Sequence, residues 1–205
     1  MHVTAIQALL NSLAVSFDLP ILEWIQAHLQ CGFLDKAMPI ITLFGDAGIF
    51  WIAVAVLLGV FPKTRKTGIS MIVALVLGLL VCNITLKPLV ARIRPYDFQL
   101  QEFGKTITLL IEAQHDYSFP SGHTIASFEA CTVLLIRDKR MGIPATILAI
   151  LIAFSRLYLY VHYPTDVIAS VFLGILFAFL GNAIVNALFK NSSGSYKGKY
   201  LNTSK

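Results

Sequence analysis

Two histidines in this chain stand beside residues that suit the transfer of a phosphoryl group. His162 is followed about one helical turn later by Asp166, and Pro164 between them is typical of the first turn of a helix. A carboxylate at that position can bond the imidazole ring, fix its tautomer and leave the other ring nitrogen free to attack phosphorus. We therefore interpret His162 as a candidate nucleophile and Asp166 as the residue that orients it.

The second histidine, His123, belongs to the tetrapeptide Pro-Ser-Gly-His, where a loop is predicted to become a helix. Unpaired backbone N–H groups and the positive end of the helix dipole favour anions there, so Ser121 and Gly122 are candidates for holding phosphate oxygens. His123 would lie in the first turn, where it could protonate a leaving group. A plain serine cap with an incidental histidine explains the tetrapeptide alone equally well.

Three cations complete the set of candidate groups. Lys87 and Arg94 are seven residues apart, nearly two helical turns, which predicts that both lie on one face of a helix that Pro95 ends. Arg156 lies near the end of a later apolar segment. Arginine can bind two phosphate oxygens and lysine acts as a point charge. Taken alone, Lys87 and Arg94 are explained more simply as interfacial cations, and Arg92 is interpreted in that way only.

Together these residues supply what phosphoryl transfer needs: a nucleophile, an orienting carboxylate, a proton donor and three cations that neutralise the phosphate oxygens. No carboxylate cluster suited to magnesium or zinc accompanies them in the sequence. We therefore expect neither a metal nor another cofactor. Four further polar residues are expected near the site or in its helices without a catalytic role: Asp46, His115, Asp116 and Glu129.

The composition places these groups in a membrane. Hydrophobic residues make up 57% of the 205 residues and charged residues 13%, which lies outside the usual range of soluble domains. The basic residues behind the net charge of +5 form no stripe with interleaved aromatics, so no nucleic-acid partner is expected. Five apolar segments are near the length that crosses the hydrocarbon core: residues 40–61, 69–86, 121–136, 143–159 and 165–189.

The first 36 residues are expected to lie on the membrane. Apolar positions between Val3 and Phe17 share one helical face, which is typical of an interfacial helix. A second short helix, residues 21–30, follows Asp18 and Pro20 and carries three polar side chains. The alternative is a sixth span. We predict an all-α, polytopic membrane helix bundle in three parts: N-terminal interfacial helices (1–36), a membrane domain of five transmembrane helices (37–190) and a disordered cytoplasmic tail (191–205).

The distribution of lysine and arginine predicts the orientation of the bundle, because short loops rich in these residues stay on the cytoplasmic side. Basic clusters occur at residues 63–66, at residues 137–140 and after residue 189, and they alternate correctly with the predicted spans. The loop of residues 87–120 and the turn of residues 160–164 are therefore expected on the extracytoplasmic face. The candidate groups lie in these two segments or in the helix ends beside them.

On these residues the chain resembles the type 2 phosphatidic acid phosphatase (PAP2) superfamily, which also includes soluble vanadium haloperoxidases. The family pattern K-x6-RP, PSGH and SR-x5-H-x3-D is matched by KPLVARIRP, PSGH and SRLYLYVHYPTD. The resemblance implies that His162 is the nucleophile, His123 the general acid and Asp166 the partner of the nucleophile. It also implies that five residues bind the phosphate: Lys87, Arg94, Ser121, Gly122 and Arg156.

The resemblance implies a metal-independent enzyme of the cell membrane that hydrolyses a lipid phosphate or diphosphate at the extracytoplasmic face through a phosphohistidine. Undecaprenyl diphosphate is the first expected substrate, and membrane lipids are the expected surroundings. The alternatives are a phosphatidylglycerophosphate or phosphatidate phosphatase and a lipid phosphotransferase. A membrane transporter or scaffold is expected least, because the sequence has neither an evident internal repeat nor apolar segments broken at mid-length.

Overall fold

Ten α-helices make up most of residues 5–200, the part of the chain that the computed structural model describes. Within this range no β-strand occurs, which confirms the predicted all-α class. Side chains are described for residues 6–190. The backbone is helical as far as Tyr200. The disorder predicted for residues 191–205 stays a prediction, because it falls on residues without a described side chain or outside the described range.

The helices follow one another with short connections. Two π-helical stretches, Ala14–Asp18 and Leu79–Leu86, and one 3-10 turn, Asp46–Gly48, lie between them. In chain order the α-helices are α1 (Ala5–Leu13), α2 (Leu19–Leu29), α3 (Gly32–Leu43), α4 (Ile49–Val60), α5 (Arg65–Gly78), α6 (Lys87–Val90), α7 (Pro95–Phe103), α8 (Gly122–Arg137), α9 (Lys139–Tyr158) and α10 (Pro164–Tyr200).

Five helical runs within the described residues are long and apolar enough to cross a membrane: Ile6–Leu29, Gly32–Val60, Arg65–Phe103, Lys139–Tyr158 and Pro164–Lys190. The number agrees with the prediction, but the set differs from it. Helix α8 has 16 residues, roughly 24 Å of helix, which is shorter than a hydrocarbon core of about 30 Å. The predicted break at Pro20 does not occur, because proline is tolerated in the first turn of α2 and a π-helical stretch joins α1 to α2.

Helix α8 is the central helix of the bundle, packed against α5, α9 and α10. It is also tied to α4, since the indole N–H of Trp51 donates to Ser127 Oγ at 3.0 Å. Small side chains let neighbouring helices approach closely, which favours association inside a membrane. The buried residues of α8 at this contact are small or medium in size: Ala130, Cys131, Val133 and Leu134.

The N-terminal helical run lies across one end of the bundle. Asp18 accepts a hydrogen bond from the backbone N–H of Thr165 (2.9 Å), and Gln26 donates to the carbonyl oxygen of Tyr158 (2.8 Å). Both partners belong to the α9–α10 end, the end where α9 stops at Tyr158 and α10 starts at Pro164. The run therefore contacts this end from points roughly 12 Å apart along its length. Its interfacial position stays a prediction, because the run is also long and apolar enough to span.

The opposite end carries the predicted cytoplasmic charges, and we call it the basic end, where α8 stops at Arg137 and α9 starts at Lys139. The guanidinium of Arg137 donates to Ser70 Oγ of α5 (3.2 Å) and to Asn186 Oδ1 of α10 (2.9 Å). The connection between α4 and α5, which holds the first basic cluster, lies at this end as well. These two basic clusters therefore lie at the same end of the bundle, and the side of the membrane that this end faces stays a prediction.

Gly68 of α5 sets how closely α4 and α5 pack. A Cβ atom at this position would overlap the carbonyl oxygen of Ala55 and the backbone of Gly59. We expect Gly68→Ala to lower the free energy of unfolding by about 1–3 kcal/mol, as overpacking does. The measurement is the melting temperature in detergent. Gly59→Ala is the matched control, since its Cβ would meet nothing within 4 Å. Equal melting temperatures for the two variants would contradict this packing.

Candidate active site

A cavity of about 480 Å³ opens at the α9–α10 end, between α4, α5 and α8. Six of the eight residues selected from the sequence line it: Lys87, Arg94, Gly122, His123, Arg156 and His162. The other two, Ser121 and Asp166, are buried behind its wall. Segments that are far apart in the sequence thus bring their polar groups to one place.

His162 lies in the buried turn between α9 and α10, with its two ring nitrogens facing different groups. Nε2 is 3.3 Å from Nη1 of Arg94. Nδ1 is 3.6 Å from Oδ2 of Asp166 and 3.5 Å from Oγ of Ser118. The carboxylate therefore faces Nδ1, as predicted, but at a separation slightly longer than a hydrogen bond. Nε2 is left on the side of the cations.

The surroundings of His162 favour its neutral form. Burial has the largest effect, and the positive charges of Arg94, Arg156 and Lys87 add to it, so the pKa of His162 falls well below its usual value. A lowered pKa keeps the imidazole unprotonated at neutral pH and down to mildly acidic pH. A nucleophile needs this form, because only the neutral ring has a free lone pair.

Three hydrogen-bond donors, each from a different part of the chain, hold the carboxylate of Asp166 in place. Its carboxylate accepts hydrogen bonds from Arg92 Nη1 (2.5 Å), from the hydroxyl of Ser118 and from the backbone N–H of Tyr163 (3.1 Å). The side chain is fully buried. A carboxylate held in this way cannot rotate freely, so it presents Oδ2 toward His162 in one orientation.

Arg92 is a site residue that the sequence did not distinguish. The interpretation as an interfacial cation is wrong, because its side chain is only 3% exposed and lies between two buried carboxylates. Nη2 donates to Asp18 Oδ2 at 2.7 Å, and the guanidinium stacks on the ring of Tyr163 at 3.7 Å. Asp18 precedes Arg92 by 74 residues, so no local pattern could have signalled this ion pair.

Lys87 and Arg94 meet, but not on one helix face. Helix α6 ends at Val90, and Ala91 adopts a left-handed conformation with φ of 49°. The chain is then non-helical up to Arg94, so the prediction of a common helical face is wrong. Both cations instead point to one anion, since Lys87 Nζ and Arg94 Nη2 each donate to the carboxylate of Asp116.

Asp116 stays charged at this position. Its partial burial acts to raise the pKa, but hydrogen bonds and positive charges from Lys87 and Arg94 outweigh that effect and lower the pKa to about 2. The carboxylate is therefore ionised throughout the physiological range. The sequence placed Asp116 near the site only in general terms, because a loop residue is positioned by tertiary contacts.

Two nitrogens of the Arg156 guanidinium have no hydrogen-bond partner among the described residues. Nη1 donates to Thr42 Oγ1 at 2.6 Å, whereas Nε and Nη2 are buried with no hydrogen-bond partner among the described residues. Buried donors without a partner are rare in folded proteins. Because the side chain lines the cavity, an anion in the cavity would satisfy both nitrogens.

The N-terminus of α8 forms part of the cavity wall. The backbone N–H of Ser121 is already used, since it donates to Ser170 Oγ at 2.8 Å, and its hydroxyl accepts from Thr124 at 3.0 Å. Gly122 and His123 face the cavity. The ring nitrogen Nε2 of His123 lies 3.9 Å from Oδ1 of Asp46. The structure therefore leaves Gly122, more than Ser121, in reach of a bound phosphate.

The cavity continues from this polar region between apolar side chains. Glu129 of α8 also borders it, packed against Gly78 of α5, and its Oε1 has no hydrogen-bond partner among the described residues. The apolar lining comes from α4, α5, α8 and the π-helical stretch: Ile52, Ile72, Leu75, Val76, Leu79 and Ile125. The site thus combines cations with a space that suits hydrocarbon.

The comparison with known protein families agrees with this geometry. The sequence profile of the PAP2 superfamily matches residues 67–190, more than half of the chain. The chain belongs to the PAP2 superfamily. This PAP2 phosphatase is 35% identical over 167 residues to an undecaprenyl-diphosphatase of Sulfolobus acidocaldarius, a match that covers 81% of this chain and 77% of the relative. The predicted enzyme class, a phosphatase, is confirmed.

Two solved structures have a similar fold. LpxE of Aquifex aeolicus matches with a TM-score of 0.69 and 24% identity, covering 81% of this chain and 94% of that one. A PAP2-type phosphatidylglycerolphosphate phosphatase from Bacillus subtilis matches with a TM-score of 0.62 and 27% identity, covering 77% and 79%. The apolar helices and these relatives identify this PAP2 phosphatase as a multi-pass membrane protein.

Arg92 should be required for activity as well as stability. In Arg92→Gln, two buried carboxylates lose their cation, so we expect a lower melting temperature and a rate of phosphate release reduced by about tenfold or more. Asp18→Asn keeps the bond between Arg92 and Asp166, so it should lower the melting temperature with a smaller loss of rate. The exposed Arg65 provides the control Arg65→Gln. Full activity of folded Arg92→Gln would refute the positioning role.

Proposed function

We propose that this phosphatase removes the terminal phosphate from a lipid diphosphate, and that undecaprenyl diphosphate is its substrate. The observation that carries the proposal is the single cavity, in which Lys87, Arg94 and Arg156 surround a space beside two histidines that continues between apolar side chains. A lipid diphosphate has the same two parts, an anionic head and a hydrocarbon chain. The undecaprenyl-diphosphatase relative supports this choice of substrate.

The proposed reaction uses the two histidines in turn. Nε2 of neutral His162 attacks the terminal phosphorus, and the bond from that phosphorus to the bridging oxygen breaks. His123 donates a proton to this oxygen, so that the lipid monophosphate leaves. Burial and the nearby positive charges lower the pKa of His123 to about 2, so in this proposal the negative charge of the bound diphosphate is what allows the ring to hold that proton. Water then attacks the phosphohistidine, gives a proton back to His123 and releases inorganic phosphate. Asp166 keeps Nδ1 of His162 protonated and stabilises the positive ring of the intermediate.

Catalysis in this proposal depends on charge neutralisation more than on covalent chemistry. The transferring phosphoryl group spreads negative charge over its oxygens, and fixed cations in a site shielded from water stabilise that charge. Arg156 contributes the two donors that have no partner among the described residues. Arg94 lies beside Nε2 of His162, so it is placed to hold the group under attack. No step requires a metal.

His162→Ala should abolish turnover. Without the nucleophile we expect phosphate release from undecaprenyl diphosphate to fall by about a thousandfold or more, measured on purified enzyme in detergent with EDTA present. The wild-type enzyme should also carry a labelled phosphate that survives alkali and is lost in acid. The control is His115→Ala, an exposed histidine of the neighbouring loop. Retention of turnover by His162→Ala, or a loss of wild-type turnover in EDTA, would refute the mechanism.

We also propose that the cavity opens at the extracytoplasmic face. The support is the positive-inside rule, because the basic clusters lie at the basic end and the cavity at the α9–α10 end. Single cysteines at exposed Tyr117 and exposed Lys63, each in a Cys31→Ser background, report the two ends. An impermeant maleimide on intact cells should label Tyr117→Cys only. Labelling of Lys63→Cys alone would reverse the orientation.

A second candidate substrate is phosphatidylglycerophosphate. The similarity to the phosphatidylglycerolphosphate phosphatase of Bacillus subtilis favours it, at 27% identity. The same catalytic groups would serve a monophosphate, and a lipid or sugar hydroxyl in place of water would make the enzyme a phosphotransferase. Initial rates on the two lipids, with free phosphate and phosphorylated acceptors measured separately, distinguish these activities.

A further inference from the structure

The loop between α7 and α8 places a carboxylate on the cations of the site. Both Lys87 Nζ and Arg94 Nη2 donate to the carboxylate of Asp116, and Arg94 Nε donates to the backbone oxygen of the same residue at 2.9 Å. Two of the three cations assigned to the phosphate thus already have an anionic partner. That partner belongs to the chain itself.

The donors of Arg94 are almost fully used in this arrangement. A guanidinium has five N–H groups. Three of them donate to Asp116 and to the carbonyl oxygen of Val161 (2.7 Å), and Nη1 also faces His162 Nε2. One N–H of Nη2 remains, so a phosphate can gain the other charge-assisted bonds of Arg94 toward Asp116 only by replacing that residue. Arg156, by contrast, keeps two donors without a partner in the part of the chain that the structure describes.

Asp116 can be replaced because it is not buried. Its side chain is 55% exposed, whereas that of Arg94 is 3% exposed. At such a position the carboxylate loses little interaction free energy when it exchanges its cations for water, because exposed ion pairs contribute weakly to stability. The cations, being more buried, gain more from a strongly charged replacement. Whether a ligand displaces the Asp116 carboxylate from the two cations therefore depends on the negative charge of the ligand.

We propose that Asp116 determines specificity by competing with bound anions for Lys87 and Arg94, so that the site holds a lipid diphosphate and releases inorganic phosphate. This inference rests on the proposed function. A diphosphate carries more negative charge than inorganic phosphate into the space beside His162, Arg156 and these two cations, and this added charge displaces the carboxylate. Inorganic phosphate has one group only, and the returning carboxylate favours its departure.

The test is the affinity for inorganic phosphate, measured by calorimetry in detergent and as the inhibition constant in the hydrolysis of undecaprenyl diphosphate. Asp116→Asn keeps the shape of the side chain and removes the competing charge. We expect phosphate to bind Asp116→Asn about threefold to tenfold more tightly than the wild-type protein. Product inhibition should strengthen by the same factor, so progress curves of this variant should level off earlier.

Two further variants separate charge competition from other effects. Asp116→Glu retains the charge and should bind phosphate about as weakly as the wild-type protein. Glu112→Gln removes an exposed carboxylate from the same loop, outside the cavity lining, and should change neither constant. If Asp116 served only to position the two cations, Asp116→Asn would instead bind phosphate more weakly and raise KM.

The outcomes distinguish this inference from the proposed function. Tighter phosphate binding by Asp116→Asn, with Asp116→Glu unchanged, supports the competition. Unchanged or weaker binding by Asp116→Asn overturns it and leaves the phosphatase site intact. Failure of the wild-type protein to bind phosphate at all, or to hydrolyse the lipid diphosphate, counts against the proposed function itself.

Discussion

The buried ion pairs of Arg92 hold the catalytic end of the bundle together. One guanidinium bonds Asp18 of the N-terminal run and Asp166 of α10, and stacks on Tyr163 between α9 and α10. Charges that are removed from water require partners, and the loss of one partner leaves the other uncompensated. The orientation of Asp166 therefore depends on Arg92, which is itself held by Asp18 near the start of the chain. The position of His162 depends in turn on Asp166.

Two other cations of the site have a more exposed carboxylate as their partner. Lys87 and Arg94 are balanced by Asp116, a carboxylate that is partly exposed to water, whereas Arg92 is balanced by buried ones. A buried pair gives a fixed geometry, and an exposed one can exchange with a ligand. In the proposed mechanism, the charges that orient His162 are thus separate from those that meet the substrate. Both sets lie at the end of the bundle away from the basic clusters.

Helix α8 packs closely against its neighbours beside the cavity. Its small side chains and the close approach of Gly78 on α5 to Glu129 bring these helices together. The cations stand at one end of the cavity, and apolar side chains line the remainder. Amphipathic ligands fit such a space because each part meets surroundings of its own polarity.

The sequence by itself determined the membrane class, four of the five long apolar helical runs and six of the groups that line the cavity. These properties depend on local composition and on short motifs, which one segment can encode. Only the tertiary structure decided that α8 is too short to qualify as a span, that Lys87 and Arg94 meet through Asp116, and that Arg92 is buried between two carboxylates. Each of these depends on residues that are distant in sequence, and the strength of a charge pair is set by the burial that their packing creates.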